Sequence, residues 1–261
     1  MLSRLFCFEQ FNHNCTDRAS AAQDSLASFL FDTKNRCGFE RVMLYGPELS
    51  GKTSLLFELA MSFADEGKHV LYISPKKISK LPLLAHGRTQ PTSVTLNYIQ
   101  VVYLETREEY LNYMASIHFS TSRPFSAVII DGINAFVPST IKKEDLSSVA
   151  KVFALTVDSF LFQKSKRTSE TSEEEPTMLV ISMTVPRGTK SLTRQVFYER
   201  WIQCFLCIQE KESELFELSL LPSNIKDSST LANVSYKIND HSFIVQDVEY
   251  SSQSDSGFFK Q

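Results

Sequence analysis

Between residues 41 and 183 the chain alternates between two hydrophobic periods. Short continuous apolar runs occur at Arg41-Val42-Met43-Leu44-Tyr45, His69 to Ser74, Tyr98 to Leu104, Ala127 to Asp131 and Met178 to Met183. Runs of this length, apolar throughout, read as strands buried on both faces. Between them, apolar residues recur by threes and fours. The sets are Leu55, Leu56, Leu59, Ala60 and Phe63; then Tyr110, Leu111, Met114 and Ile117 with His118; then Leu146, Val149, Ala150, Phe153, Ala154, Val157, Phe160 and Leu161. Each set predicts an amphipathic helix, and the alternation predicts a mostly parallel sheet covered on both faces. After residue 200 the pattern changes. Trp201 to Gln209, Leu215 to Leu221, Val234 to Ile238 and Ser242 to Val245 are short strand patterns separated by turns, with no helix between them, which predicts antiparallel additions.

Two segments fall outside this rhythm. Residues 164–176 shift from Lys164, Lys166 and Arg167 to Glu173, Glu174 and Glu175 through serines and threonines, and predict a disordered insertion between helix and strand. Residues 251–261 form a serine-rich tail. The expected organisation is an N-terminal extension over 1–36, a core over 37–250 and the tail. Leu2, Leu5, Phe6, Phe8 and Phe11 cluster in the extension and suggest a segment that docks a partner.

Composition changes this picture little. A chain of 261 residues, 43% hydrophobic and 22% charged, can bury one sizeable α/β core. With 27 basic against 30 acidic residues the net charge is −3, so any surface for nucleic acid must be a local patch. No run is expected to cross a membrane, and Glu9 interrupts the apolar start too early for a secretion signal. Five cysteines, an odd number, suggest a reducing compartment. Cys204-Phe205-Leu206-Cys207 is a lone C-x-x-C inside a strand pattern with no histidine at ligand spacing, and reads as core packing. The same reading holds for Phe57-Glu58-Leu59-Ala60, whose apolar side a helix needs inward.

The chemistry begins at Gly46-Pro47-Glu48-Leu49-Ser50-Gly51-Lys52-Thr53, which matches G-x4-G-K-[ST]. By average residue usage the bare pattern arises in roughly one chain in a hundred of this length. Here it also has the required setting, a strand before and a helix after. Gly46 and Gly51 let backbone N–H groups approach phosphate oxygens, and the helix start favours an anion. Lys52 should reach the β- and γ-phosphates of ATP, and Thr53 should ligate Mg²⁺, with Ser54 completing the binding stretch. Asp131, ending four apolar strand residues, is the second chemical residue. A carboxylate there suits a magnesium ion held through water.

These motifs in this order, with Val180-Ile181-Ser182-Met183-Thr184-Val185 and the terminal strands, resemble the core of RecA-type recombinases over roughly residues 37–245. The resemblance implies an α/β RecA-type P-loop NTPase core, with a twisted, mostly parallel sheet and C-terminal antiparallel strands. Within the family the chain is similar to the short paralogues that pair with a SWIM-domain zinc protein in the vertebrate Shu complex. The resemblance then implies a nuclear, ATP-binding factor with three kinds of partner: that zinc protein, the recombinase and its paralogues, and single-stranded DNA. The family's DNA loops follow the fourth and fifth core strands, which nominates Lys142 and Lys143 in one and Arg187, Lys190 and Arg194 in the other. Neither loop carries an aromatic for base stacking.

The chain also departs from the family. The strand after the P-loop helix ends Ile73-Ser74-Pro75-Lys76-Lys77, with a lysine near the place of the family's catalytic glutamate, and Met183-Thr184 replaces the usual Asn-Gln. A positioned base contributes about 10²–10⁴-fold, so hydrolysis is expected to be slow, leaving at most a weak DNA-stimulated ATPase. Glu105, at the end of a neighbouring strand, is a candidate stand-in base. The alternatives are a pseudo-ATPase scaffold for the zinc partner and a P-loop small-molecule kinase, although such kinases usually continue into helices and a basic lid.

Overall fold

The computed structural model describes residues 39–119, 123–137, 146–170, 177–222 and 232–250. The predicted N-terminal extension, the tail, and loop residues Lys142 and Lys143 lie outside these. Among the described residues ten strands form one sheet in the order β3-β10-β9-β8-β7-β1-β6-β5-β2-β4. In chain order they are β1 (Arg41–Gly46), β2 (Val70–Ser74), β3 (Leu84–Ala85), β4 (Ile99–Tyr103), β5 (Ala127–Ile130), β6 (Met178–Thr184), β7 (Cys204–Glu212), β8 (Leu215–Pro222), β9 (Ala232–Ile238) and β10 (Ser242–Tyr250). The α-helices among the described residues are α1 (Lys52–Asp65), α2 (Ser93–Leu96), α3 (Arg107–Ser116), α4 (Leu146–Glu170) and α5 (Gln195–Tyr198).

The apolar runs behave as their pattern requires. β1, β2, β4, β5, β6 and β7 pair in parallel, while β7 to β10 form an antiparallel meander. Every residue of β2 and β5 is buried, because helices cover both faces. Two core layers result. One contains α1 with Val42, Leu44, Tyr72, Ile129, Tyr236 and Phe243; the other contains α3 and α4 with Met43, Tyr45, Ile73, Ile130 and Phe205. Side chains alternate between the layers along each strand, as a pleat demands.

Helix α1 touches β4 at one end of the sheet and β3 at the other. The sheet must therefore curl around it, which explains why α1 is apolar on most sides. Glu58, inside this layer, is fully buried. Its carboxylate pairs with Arg88 and accepts from Ala85 N–H at 3.1 Å, and Arg88 also binds Asp65.

Helix α4 differs from expectation in two ways. Residues 164–170, assigned by composition to a disordered insertion, instead complete the helix, since Arg167 turns inward and donates to Ser126 Oγ. Residues 171–176 lie outside the described residues. Within Leu146–Arg167 an 18-residue window also reaches a mean hydropathy of 1.2, long and apolar enough by length and composition alone to cross a membrane. Here Val149, Val152, Phe153, Val157 and Phe160 are buried in the second core layer, so the apolarity serves packing.

Candidate phosphate site

The loop between β1 and α1 takes its shape from glycines and close neighbours. Gly51 adopts φ 78° and starts α1, a left-handed conformation that costs other residues about 1–2 kcal/mol. A Cβ on Gly51 would stand 2.8 Å from Ile238 Cδ1, and one on Gly46 would stand 2.7 Å from Ile208 Cβ. Leu49, at φ 60° and largely exposed, marks the tip of the loop beside exposed Glu48. Ser50 is buried and donates to the carbonyl of Pro47 at 2.9 Å.

Lys52 lies inside this loop. Its ammonium donates to the carbonyl of Gly46 at 3.1 Å and also to that of Pro47. Burial pulls its pKa down to about 8, against the opposing pull of Asp131 and Glu48. At neutral pH it is still mostly charged. A desolvated cation among main-chain dipoles is a strong attractor for a phosphate group.

Three elements converge on Asp131. Its Oδ2 accepts from Thr53 Oγ1 at 2.8 Å and from Tyr72 OH at 3.0 Å, and its Oδ1 accepts from Ser182 Oγ at 2.8 Å. Ser182 Oγ in turn accepts from Gly132 N–H at 2.8 Å. α1, β2, β5 and β6 thus meet at one carboxylate. The exposed Thr53 hydroxyl and this half-buried carboxylate are hard oxygen donors at hydrogen-bond distance, a set that fits Mg²⁺ retaining most of its waters. Such an ion would bridge and neutralise phosphate oxygens.

A second group of residues braces the loop from the side. Tyr236 OH donates to the Ser50 carbonyl at 2.7 Å. Leu83, Tyr236, Ile238 and Phe243 line a small apolar crevice against Gly51, Ser54 and Leu55. On the opposite side Val185 N–H donates to the Gly46 carbonyl at 3.0 Å. Asn134 clamps Thr184 in both directions, donating to its carbonyl at 2.9 Å and accepting its N–H at 2.7 Å. Tyr72, Ser182, Asn134 and Tyr236 carry no motif. The only signal for Tyr72 and Ser182 was a polar atom inside an otherwise apolar strand run.

Glu105 does not join the site. β4 is the outermost strand, four positions from β1, or roughly 19 Å at the usual spacing of strands. Its neighbour Thr106 caps α3, and the Glu105 N–H donates to Glu109 Oε2 at 2.8 Å. The residue starts a helix, which is what acids near helix N-termini commonly do. No other acid stands at the end of β2, where Ser74 is followed by Pro75, Lys76 and Lys77.

The second candidate DNA loop is exposed but lies across the sheet from α1, since Leu192 and Tyr198 pack in the layer of α3 and α4. Arg187, Lys190 and Arg194 are all exposed; Arg187 lies 3.4 Å from Glu210, and the Lys190 carbonyl accepts Tyr45 OH at 3.2 Å. Cys204 and Cys207 are buried in the strand, as core packing requires. Among the described residues no cluster of His, Cys, Asp or Glu could hold a metal through protein ligands alone.

No protein-family model and no curated protein matches the sequence. Solved structures do match. The crystal structure of a RadB recombinase superposes with a TM-score of 0.55 at 15% identity, over 80% of this chain and 93% of that one. A KaiC-like protein from the hyperthermophilic archaeon Pyrococcus horikoshii gives 0.48 at 13% identity, over 80% and 90%. The chain has a RecA-type fold, the fold of the RadB recombinase.

Proposed function

We propose that this chain is an ATP-binding, RecA-like factor of homologous-recombination repair that associates with single-stranded DNA and supports recombinase filaments. Its hydrolysis is slow or depends on a partner, and ATP acts mainly as a conformational ligand. The observation that carries the reading is the pairing of Thr53 with Asp131 beside Lys52 in a glycine-shaped loop, on a sheet shared with a recombinase. The slow rate follows from the end of β2, where lysines stand and no carboxylate can take a proton from water. The partner in this reading is a SWIM-domain zinc protein, and the compartment is the nucleus.

A second reading is favoured by the same lysines, namely a pseudo-ATPase whose nucleotide fold serves as a scaffold for that partner. The antiparallel meander of β7 to β10 stands where a small-molecule kinase would carry helices and a lid, which disfavours that third reading. Phosphate release with and without single-stranded DNA, in the wild type and Lys52→Ala, separates the first two. Slow release that DNA stimulates and Lys52→Ala abolishes is expected. Release absent from both proteins would favour the scaffold.

A further inference from the structure

Residues 67–104 contain no aspartate or glutamate, in a chain where acids number 30 of 261 residues. The same stretch holds Lys68, Lys76, Lys77, Lys80 and Arg88. Two of these cations have partners in the fold: Lys68 pairs with Glu66 at 2.8 Å, and Arg88 is held by Glu58 and Asp65. Lys76, Lys77 and Lys80 are exposed and meet no carboxylate among the described residues. Three like charges within five residues repel one another unless an anion lies between them.

Their position narrows the choice of anion. Tyr72, near the end of β2, shares Asp131 Oδ2 with Thr53 at the start of α1. Pro75 packs over Gly132, its Cγ 3.5 Å from where a Cβ would stand. Ser74 Oγ fixes the backbone of Lys76, donating to its carbonyl at 2.9 Å and accepting its N–H at 3.4 Å. The chain then runs on the α1 side of the sheet. Ile78 packs against that core layer, and Leu83 borders Gly51 and Ser54. This strap therefore passes along the flank of the phosphate loop, while Arg187, Lys190 and Arg194 follow the strand whose loop packs on the other face.

We propose that Lys76 and Lys77 form the outer wall of the phosphate site and bind the terminal phosphate of a nucleoside triphosphate. The inference rests on the nucleotide-binding reading above and adds a preference for triphosphate over diphosphate. The loop amides serve the inner phosphates, and Lys52 reaches the β- and γ-phosphates from the loop side. The terminal phosphate carries the most charge and projects outward, within the span of a long flexible lysine stem. An ammonium group there attracts this phosphate but cannot accept a proton from water at neutral pH. The site then holds the triphosphate and cleaves it slowly.

The test is calorimetric titration of the full chain with ATPγS and with ADP, each with Mg²⁺. The proteins are wild type, Lys76→Gln/Lys77→Gln, and Lys80→Gln. Charge-assisted contacts of this kind correspond to about tenfold or more in affinity. Wild type should bind ATPγS at least about tenfold more tightly than ADP. The double variant should lose that margin, with ADP affinity unchanged within about twofold and an unchanged melting temperature, since both lysines are exposed. Lys80→Gln, farther along the strap, should keep the margin. A preference that survives in the double variant, or equal loss for both nucleotides, overturns the proposal. A folded wild-type protein that takes up neither nucleotide overturns the nucleotide-binding reading itself.

Discussion

The hydroxyl of Tyr236 and the carbonyl of Ser50, 186 residues apart in sequence, meet at 2.7 Å, and both residues are fully buried. A strand of the C-terminal meander thereby fixes one peptide unit of the phosphate loop. Burial holds the Tyr236 phenol well above its ordinary pKa, so it is a permanent donor. Tyr236→Phe leaves the Ser50 carbonyl without this donor, at a cost of about 1–3 kcal/mol. Urea unfolding should show a lowered midpoint with an unchanged slope, and ATPγS titration should show weaker binding. Wild-type values in both measurements would refute the role.

Glycine at the two ends of the loop is tested by alanine. Gly51→Ala must accept φ 78° and a contact 2.8 Å from Ile238 Cδ1, and Gly46→Ala would meet the Ile208 Cβ at 2.7 Å and its carbonyl oxygen at 3.1 Å. Both should destabilise, by about 1–3 kcal/mol for crowding alone. Adding Ile238→Ala to Gly51→Ala should relieve only the crowding part, because the left-handed strain remains. Full recovery in denaturant unfolding would show that the strain is negligible.

The Glu58–Arg88 pair is buried on both sides, with side chains 0% and 3% exposed. Removing Glu58 takes from Arg88 the buried one of its two carboxylates, leaving the half-exposed Asp65. Glu58→Leu alone should cost about 3–5 kcal/mol, while Glu58→Leu with Arg88→Met should recover much of that loss. A double-mutant cycle by chemical denaturation reads this directly, and additive single effects would contradict it.

His69 supplies the pH dependence. Burial, aided by the charge of Arg123, holds its pKa below the ordinary histidine value, and its Nε2 is buried without a hydrogen bond. The neutral form is the folded form. Its contribution is therefore complete above pH 6.5 and is lost as pH falls through the lowered folded pKa. Unfolding measured from pH 8 to pH 5 should show wild type losing more stability than His69→Phe, whose ring can still pack on Tyr98. Parallel curves would exclude the effect.

Much of this fold was legible in residue patterning, and the reason is physical. Continuous apolar runs at 41–45, 127–131 and 178–183 need cover on both faces, and only a parallel sheet between helices provides it. The loop was legible because phosphate binding demands glycine, lysine and hydroxyl at fixed spacing. What escaped was long-range. β3 is two residues long and has its register with β10, more than 150 residues away, so no local period announces it. The place of Glu105, at the end of edge strand β4, could not be read either, because strand order, unlike strand identity, is absent from local pattern. Arg167 was read as a charge in a mobile segment, yet a buried serine hydroxyl, Ser126 Oγ, receives it.

The two residues of β3 have a single sheet neighbour, β10, and they end the lysine-bearing strap. A premature stop codon ahead of position 242 would thus act at a distance. It would unfasten the far end of that strap and slacken the wall beside the triphosphate, although every residue of the G-x4-G-K-T signature had been translated.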